Sequence, residues 1–167
     1  IPGGERVKIY QAQLQWENKY FGMDAFYRVG HFHWGYEGDF FGLYPEANYQ
    51  PSVDMFNADT PNGVVFTGKD IFEGLKIAFG PQLWWGANPT IIGKYYRTVG
   101  DLKFSLMHQE DIAPQGGAPT SSVIAQPVTR RSSLYLAYAL GNFDLEVGGL
   151  IAGTRRIGRP YQAVRDA

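Results

Sequence analysis

The 167-residue sequence has no cysteine. Disulfide staples, cysteine-ligated zinc sites and a thiol nucleophile are therefore excluded. Charge is also scarce. Charged residues make up 19% of the chain and the formal net charge is −1, a balance with no broad attraction for nucleic acid. No apolar run approaches the roughly 18–20 residues of a membrane helix. That excludes a helical span, but not a membrane β-barrel, whose strands give a much weaker signal. Helical periodicity is missing throughout, and Ile71 to Lys76 has room for one turn at most. No P-loop, dinucleotide fingerprint or Ser/His/Asp arrangement appears, so no cofactor is expected. Asn57-Ala58-Asp59 is not followed by the spacing of a calcium loop. The opening residues, Ile1-Pro2-Gly3-Gly4, start no signal-peptide pattern, so the chain reads as mature or as a piece of something longer.

What is present is aromatic and glycine-rich: 16% Phe, Trp and Tyr, and 21 glycines. The dominant pattern is strict alternation, the mark of a strand with one apolar and one polar face. Tyr10, Ala12, Leu14 and Trp16 alternate with Gln11, Gln13 and Gln15. After a polar turn at 17–19, Phe21, Met23, Ala25, Tyr27 and Val29 alternate with Gly22, Asp24, Arg28 and Gly30. Leu75, Ile77, Phe79, Leu83 and Trp85 continue the pattern; Gly86-Ala87-Asn88-Pro89 interrupts it, either as a turn or as a bulge, before a strand from Thr90 to Arg97 and another from Leu102 to Leu106. Leu134, Leu136, Tyr138 and Leu140 form a hairpin with Phe143, Leu145, Val147, Gly149 and Ile151 around Gly141-Asn142. The basic end, Thr154 to Pro160, is expected to fray.

These strands predict a single all-β domain over 1–167, with long loops at about 31–74 and 112–129. Asn62-Gly63 reads as a hairpin turn inside the first loop. With 75–97 taken as one long bulged strand, short joins (17–19, 99–101, 141–142) alternate with the two long loops. That asymmetry belongs to outer-membrane barrels, whereas sandwiches mix loop lengths at both ends. Trp16, Tyr20, Tyr95 and Tyr96 fall near the tight-turn ends, where a lower aromatic girdle would sit, and Trp84 and Trp85 suit an upper one. Gln11, Gln13, Gln15, Asp24, Arg28, Lys103, Asp144 and Glu146 then face a wet lumen. The strand count opposes this reading. It gives six long strands, and reaching eight by counting Val64–Thr67 and splitting at Asn88 spoils the alternation, while bacterial barrels begin at about eight.

The stretches GLKIAFGPQLWWGANPTIIGKYYR and RSSLYLAYALGNFDLEVGGLIAGTRR resemble β-hairpins of Gram-negative outer-membrane β-barrel proteins. The likeness is to the large porin-like barrels associated with glycan utilisation. It lies in hairpin grammar, covers most of the chain outside the long loops, and carries no residue-level functional motif. It implies an antiparallel meander forming an outer-membrane barrel or part of one. It also implies an outer-membrane location, lipid or lipopolysaccharide around the protein, and passage or binding of solutes such as oligosaccharides. The alternative is a soluble carbohydrate-binding β-sandwich or jelly roll from a secreted protein. A small glycan-active enzyme is the third reading.

Candidate site residues cluster in the first long loop. His31 and His33 share one strand face, with Glu37 and Asp39 close behind, a set able to hold a divalent metal. Two solvated histidines are the default there. Glu37, Asp39 and Glu46 sit among Trp34, Tyr36, Phe40, Phe41, Tyr44 and Tyr49. Rings stack on pyranose faces and carboxylates take the hydroxyls, and Glu37 with Asp39 is the one candidate pair for glycosidic hydrolysis. The bland alternative is a loop packing on its own aromatics. Trp84, Trp85 and Asn88 form a second candidate platform, against the commoner girdle or core tryptophan. Arg130-Arg131 and Arg155-Arg156 flank the last hairpin and suit an anionic headgroup or substrate, although solvated arginines are the default.

Overall fold

A computed structural model of the chain describes residues 9, 11–28, 31–32, 47–48, 62–83, 87–114, 128–155 and 161–163. Eleven strands appear in chain order: β1 (Ala12–Glu17), β2 (Phe21–Tyr27), β3 (His31–Phe32), β4 (Ala47–Asn48), β5 (Asn62–Gly68), β6 (Leu75–Gln82), β7 (Thr90–Val99), β8 (Leu102–Asp111), β9 (Thr129–Leu140), β10 (Phe143–Arg155) and β11 (Tyr161–Ala163). A single 3₁₀ turn, Asp70–Phe72, lies between β5 and β6. β3 and β4 pair as a separate ribbon. The other nine form one antiparallel meander in the order β1-β2-β5-β6-β7-β8-β9-β10-β11, with β1 and β11 at its open edges.

The expected all-β meander is therefore present, with changes of detail. The stretch 75–97 is two strands, because the chain reverses between Gln82 and Thr90. Asn62-Gly63 is not a turn but the start of β5, where the pairing with β6 shifts register. A close crossing accounts for the glycine: a Cβ on Gly63 would lie 2.4 Å from Leu83 Cδ2 and 2.9 Å from the Phe79 carbonyl oxygen. Because β5 and the division of 75–97 into β6 and β7 add two strands, the arrangement of connections is unbroken. The joins at 18–20, 69–74, 100–101 and 141–142 all fall at one end, and those at 28–61, 83–89, 112–128 and 156–160 at the other. Of the basic end, Thr154 and Arg155 belong to β10 rather than fraying, 156–160 lie outside the described residues, and β11 follows and pairs with β10.

Local chemistry sets the tight end. Val99 pairs with Leu102, and Leu140 with Phe143, across two-residue loops. Each loop begins with a glycine at positive φ, Gly100 at 59° and Gly141 at 60°, the pattern of a II′ hairpin turn. At the first turn Asn18 Oδ1 accepts from the backbone N–H of Tyr20 and Phe21, both at 2.7 Å, an Asx-type closure. Gly74 is held more tightly still. Its φ is +88°, and a Cβ there would lie 1.9 Å from the Tyr96 carbonyl oxygen. Gly74→Ala is expected to cost more than about 1–3 kcal/mol, read as a lowered denaturant midpoint. Gly93→Ala, with nothing within 4 Å of the new methyl, should change it by less than about 1 kcal/mol.

Register carries two unbroken rows across the sheet. One runs Leu14, Ala25, Val64, Phe79, Ile91. The other, on the opposite face, runs Gln15, Asp24, Val65, Ala78, Ile92, Gln109, Arg131, Ala152. The burial of the two faces is inverted. Among the buried residues are Thr90, Lys94, Ser105, Gln109, Asp111 and Ser133 from the second face. Leu14, Phe79, Ile91, Leu106, Leu134, Tyr138, Leu145, Val147 and Ile151 of the first are exposed. A one-sided sheet in water does the opposite. Among the described residues a small apolar knot sits on the polar side: Phe26, Ala78, Leu83, Ile92 and Met107, flanked by Val65 and Leu150. By alternation Leu83 belongs to the apolar face. It instead turns into this knot, 1% exposed, over the crossing of Gly63 and Gly80.

Candidate functional site

The polar face is where the chain gathers chemistry. At its β1–β2 side Gln13 Nε2 donates to both oxygens of Asp24, at 3.1 and 3.3 Å, and Gln11 Nε2 donates to the Arg28 carbonyl at 3.2 Å. Arg28 itself is buried at a φ of 60°, an uncommon conformation for a residue with a Cβ. At the tight-turn end Lys69 Nζ meets Glu17 Oε2 at 2.8 Å.

Between β8 and β10 the same face carries a notch of about 220 Å³. Register explains it. Lys103 on β8 and Glu146 on β10 both lie beside Ala137 of β9, and Asp144 lies beside Ala139. The middle strand thus offers only methyl groups where its neighbours carry long charged side chains. Asp101, in the turn before β8, and the ring of Tyr135 close the ends.

At the opposite end, Asp111 is the structural centre. Its Oδ2 accepts from Asn88 Nδ2 (3.1 Å), the Thr129 N–H (2.9 Å) and Thr129 Oγ1 (3.0 Å). Its Oδ1 accepts from Gln109 Nε2 at 3.4 Å. Ile112 N–H donates to the Pro89 carbonyl at 2.7 Å, and Thr90 Oγ1 to the Glu110 carbonyl at 3.0 Å. One buried carboxylate therefore ties the β6–β7 connection, the end of β8 and the start of β9 together. Nearby, Gln82 Nε2 and Gln109 Oε1 are buried with no hydrogen-bond partner among the described residues.

The apolar face turns polar toward this same end. Glu110 pairs with Arg130 and lies 3.5 Å from His108 Nε2, while His108 Nδ1 is 2.8 Å from Ser132 Oγ. Below them on β8 come Leu106, Phe104 and Leu102, and on β9 Leu134, Leu136, Tyr138 and Leu140. Aromatic side chains mark the other limit. Trp16 and Tyr20 are exposed, Phe21 stacks on Phe72 at 4.7 Å, and Tyr95 meets Phe104 at 5.9 Å. Tyr96, expected beside Tyr95 in that belt, lies on the polar face, because it pairs with Ser105 while Tyr95 pairs with Leu106.

Most of the sequence-derived candidates fall elsewhere. His33, Trp34, Tyr36, Glu37, Asp39, Tyr44, Glu46, Trp84 and Trp85 lie outside the described residues, as does Arg156. His31 is placed in β3 by its backbone. Among the described residues no group of His, Cys, Asp and Glu is arranged to hold a metal ion. Asn88 is described, and its amide belongs to the Asp111 brace. Arg130 sits on the apolar side of β9 and Arg131 on the polar side, so the basic pair divides between faces. Sequence reading missed Asp111 as a hub. The only signal available was its place at the end of the polar run His108-Gln109-Glu110-Asp111. No protein-family model, curated protein or solved structure matches the chain.

Proposed function

We propose that this chain is an outer-membrane, porin-like β-barrel or part of one, with the exposed apolar face toward lipid and the polar face lining a path for solutes, oligosaccharides among them. The observation that carries this reading is the inversion of the two faces. Burying a large apolar side chain contributes about 1.5–3 kcal/mol. On β9 and β10 alone Leu134, Leu140, Phe143, Leu145, Val147 and Ile151 are exposed. Between 43% and 77% exposed, those six together forgo roughly 6–11 kcal/mol in water, comparable to the whole stability of a typical domain. Hydrocarbon around that face removes the deficit.

Three further features support the reading. β7 and β8 have 10 residues each, β9 has 12 and β10 has 13, enough for the roughly 9–11 residues of a membrane strand. The apolar band is bounded by aromatic rings at the tight-turn end and by the His108–Glu110–Arg130–Ser132 cluster at the other. Interfacial rings and polar groups take those positions in a bilayer. The cluster also suits contact with the polar headgroups of lipid or lipopolysaccharide, through the Arg130 guanidinium.

The absence of cysteine makes the test clean. Val147→Cys and Glu146→Cys, neighbours on β10 with opposite facing, are labelled with a nitrobenzoxadiazole fluorophore and the protein is placed in phospholipid vesicles. The probe at 147 is expected to emit to the blue and to be quenched by acyl-chain spin labels. The probe at 146 should stay water-like and unquenched. Water-like emission at both positions overturns the barrel and returns the chain to the soluble carbohydrate-binding sandwich.

A further inference from the structure

We infer that the notch between β8 and β10 holds a small zwitterionic solute of the amino-acid type, with its ammonium group on Asp144 and Glu146 and its carboxylate on Lys103. The inference rests on reading the polar face as solute-lining, and it names the class of solute that this part of the face selects.

The argument begins with register. Lys103 and Glu146 flank Ala137 from either side, so their backbones are two strand spacings apart, about 9.6 Å. Asp144 stands two residues from Glu146 on the same strand and the same face, beside Ala139. The charges are thus segregated across a floor of two methyl groups: one ammonium on the β8 side, two carboxylates on the β10 side. Among the described residues, Lys103, Asp144 and Glu146 take part in no ion pair. The alanines of β9 hold the opposite charges apart and leave a gap between them.

A gap of that width fits a bridging molecule. Backbones about 9.6 Å apart let the Lys103 ammonium and the β10 carboxylates close from opposite sides on a molecule whose own opposite charges are a few ångströms apart, each through a charge-assisted hydrogen bond of about 2.8 Å. The notch volume of about 220 Å³ corresponds to roughly seven waters at liquid density, the size of a solute with about seven non-hydrogen atoms. The lining also argues against other classes. A simple anion would face Asp101, Asp144 and Glu146 with only Lys103 in its favour. A divalent cation would face the Lys103 ammonium, and no metal-holding cluster is formed by the described residues. A pyranose would need an open ring to stack on, and Tyr135, the aromatic of this face in the notch, is buried. A molecule with separated opposite charges meets none of these objections.

The experiment uses the full chain in detergent micelles or vesicles, with 4-aminobutyrate as probe and butylamine, butyrate and glucose as controls, read by saturation-transfer NMR titration. The probe is expected to bind about tenfold or more tightly than any control, each lost charge-assisted contact accounting for at least that factor. Asp144→Asn with Glu146→Gln should abolish the preference over butyrate, and Lys103→Met should make butylamine as good a ligand as 4-aminobutyrate. These side chains are solvent-exposed, so the variants should keep the wild-type circular dichroism spectrum. No binding, equal binding of glucose, or full affinity in the double variant overturns the inference. The fluorophore at position 147 separates this failure from that of the barrel reading, because it reports lipid contact whatever the notch binds.

Discussion

Val147→Arg is expected to lower the stability of the bilayer-inserted protein by about 2–4 kcal/mol, the cost of an arginine facing lipid near the bilayer midplane. Val147 is the middle member of the exposed row Phe143, Leu145, Val147, Gly149, Ile151, and it lies beside Leu136 of β9. Urea unfolding from phospholipid vesicles reads the effect directly. Glu146→Arg, one residue away on the opposite face, should shift the midpoint by no more than about 0.5 kcal/mol, as surface substitutions do. The pair is diagnostic because water predicts a different outcome. Val147 is 54% exposed, and on a water-facing sheet its replacement by arginine would also fall within about 0.5 kcal/mol. Equal, small effects at both positions would therefore remove lipid from the picture.

Asp111→Ala is expected to cost about 2–4 kcal/mol, since it leaves the buried Asn88 amide and Thr129 groups without their acceptor. The loss should also be local. Amide exchange at Thr129 and Ile112 should accelerate well beyond that at the β9–β10 hairpin, because those two amides close the braced end. Asp111→Asn should recover part of the loss. Its remaining oxygen, in the Oδ2 position, can serve both Asn88 and Thr129, but its NH₂ must then face the Gln109 Nε2 donor. If Asp111→Ala leaves stability and exchange unchanged, the braced end is held by something other than this carboxylate.

The strands were legible wherever the two faces differ in polarity. In β1, Ala12, Leu14 and Trp16 against Gln13 and Gln15 leave no ambiguity, and in β9–β10 the glycine turn fixes the pairing as well. Sequence reading failed where that contrast disappears. β5, Asn62–Gly68, carries Val64, Val65 and Phe66 in succession, so period two is hidden and the Asn-Gly pair suggests a turn. The reversal after Gln82 was obscured because Leu83 continues the apolar alternation by identity while its side chain turns into the polar face. The site was less legible than the fold. The notch depends on two alanines that carry no functional signal alone, and it emerges only once register sets Ala137 between Lys103 and Glu146.

The meander has a consequence for how such a sheet can grow or shrink. Every strand of the nine pairs with the strands next to it in the sheet order, and that order follows the chain. Inserting or deleting a single strand reverses the direction of all that follow, so each later tight turn would change sides with each later long connection. Inserting or deleting a whole hairpin leaves direction, facing and loop side untouched. The natural unit of length variation is therefore the strand pair joined by a two-residue glycine turn, as in β9–β10. Transplanting that pair beside another edge of matching register should preserve which side chains lie on the apolar face and which on the polar one.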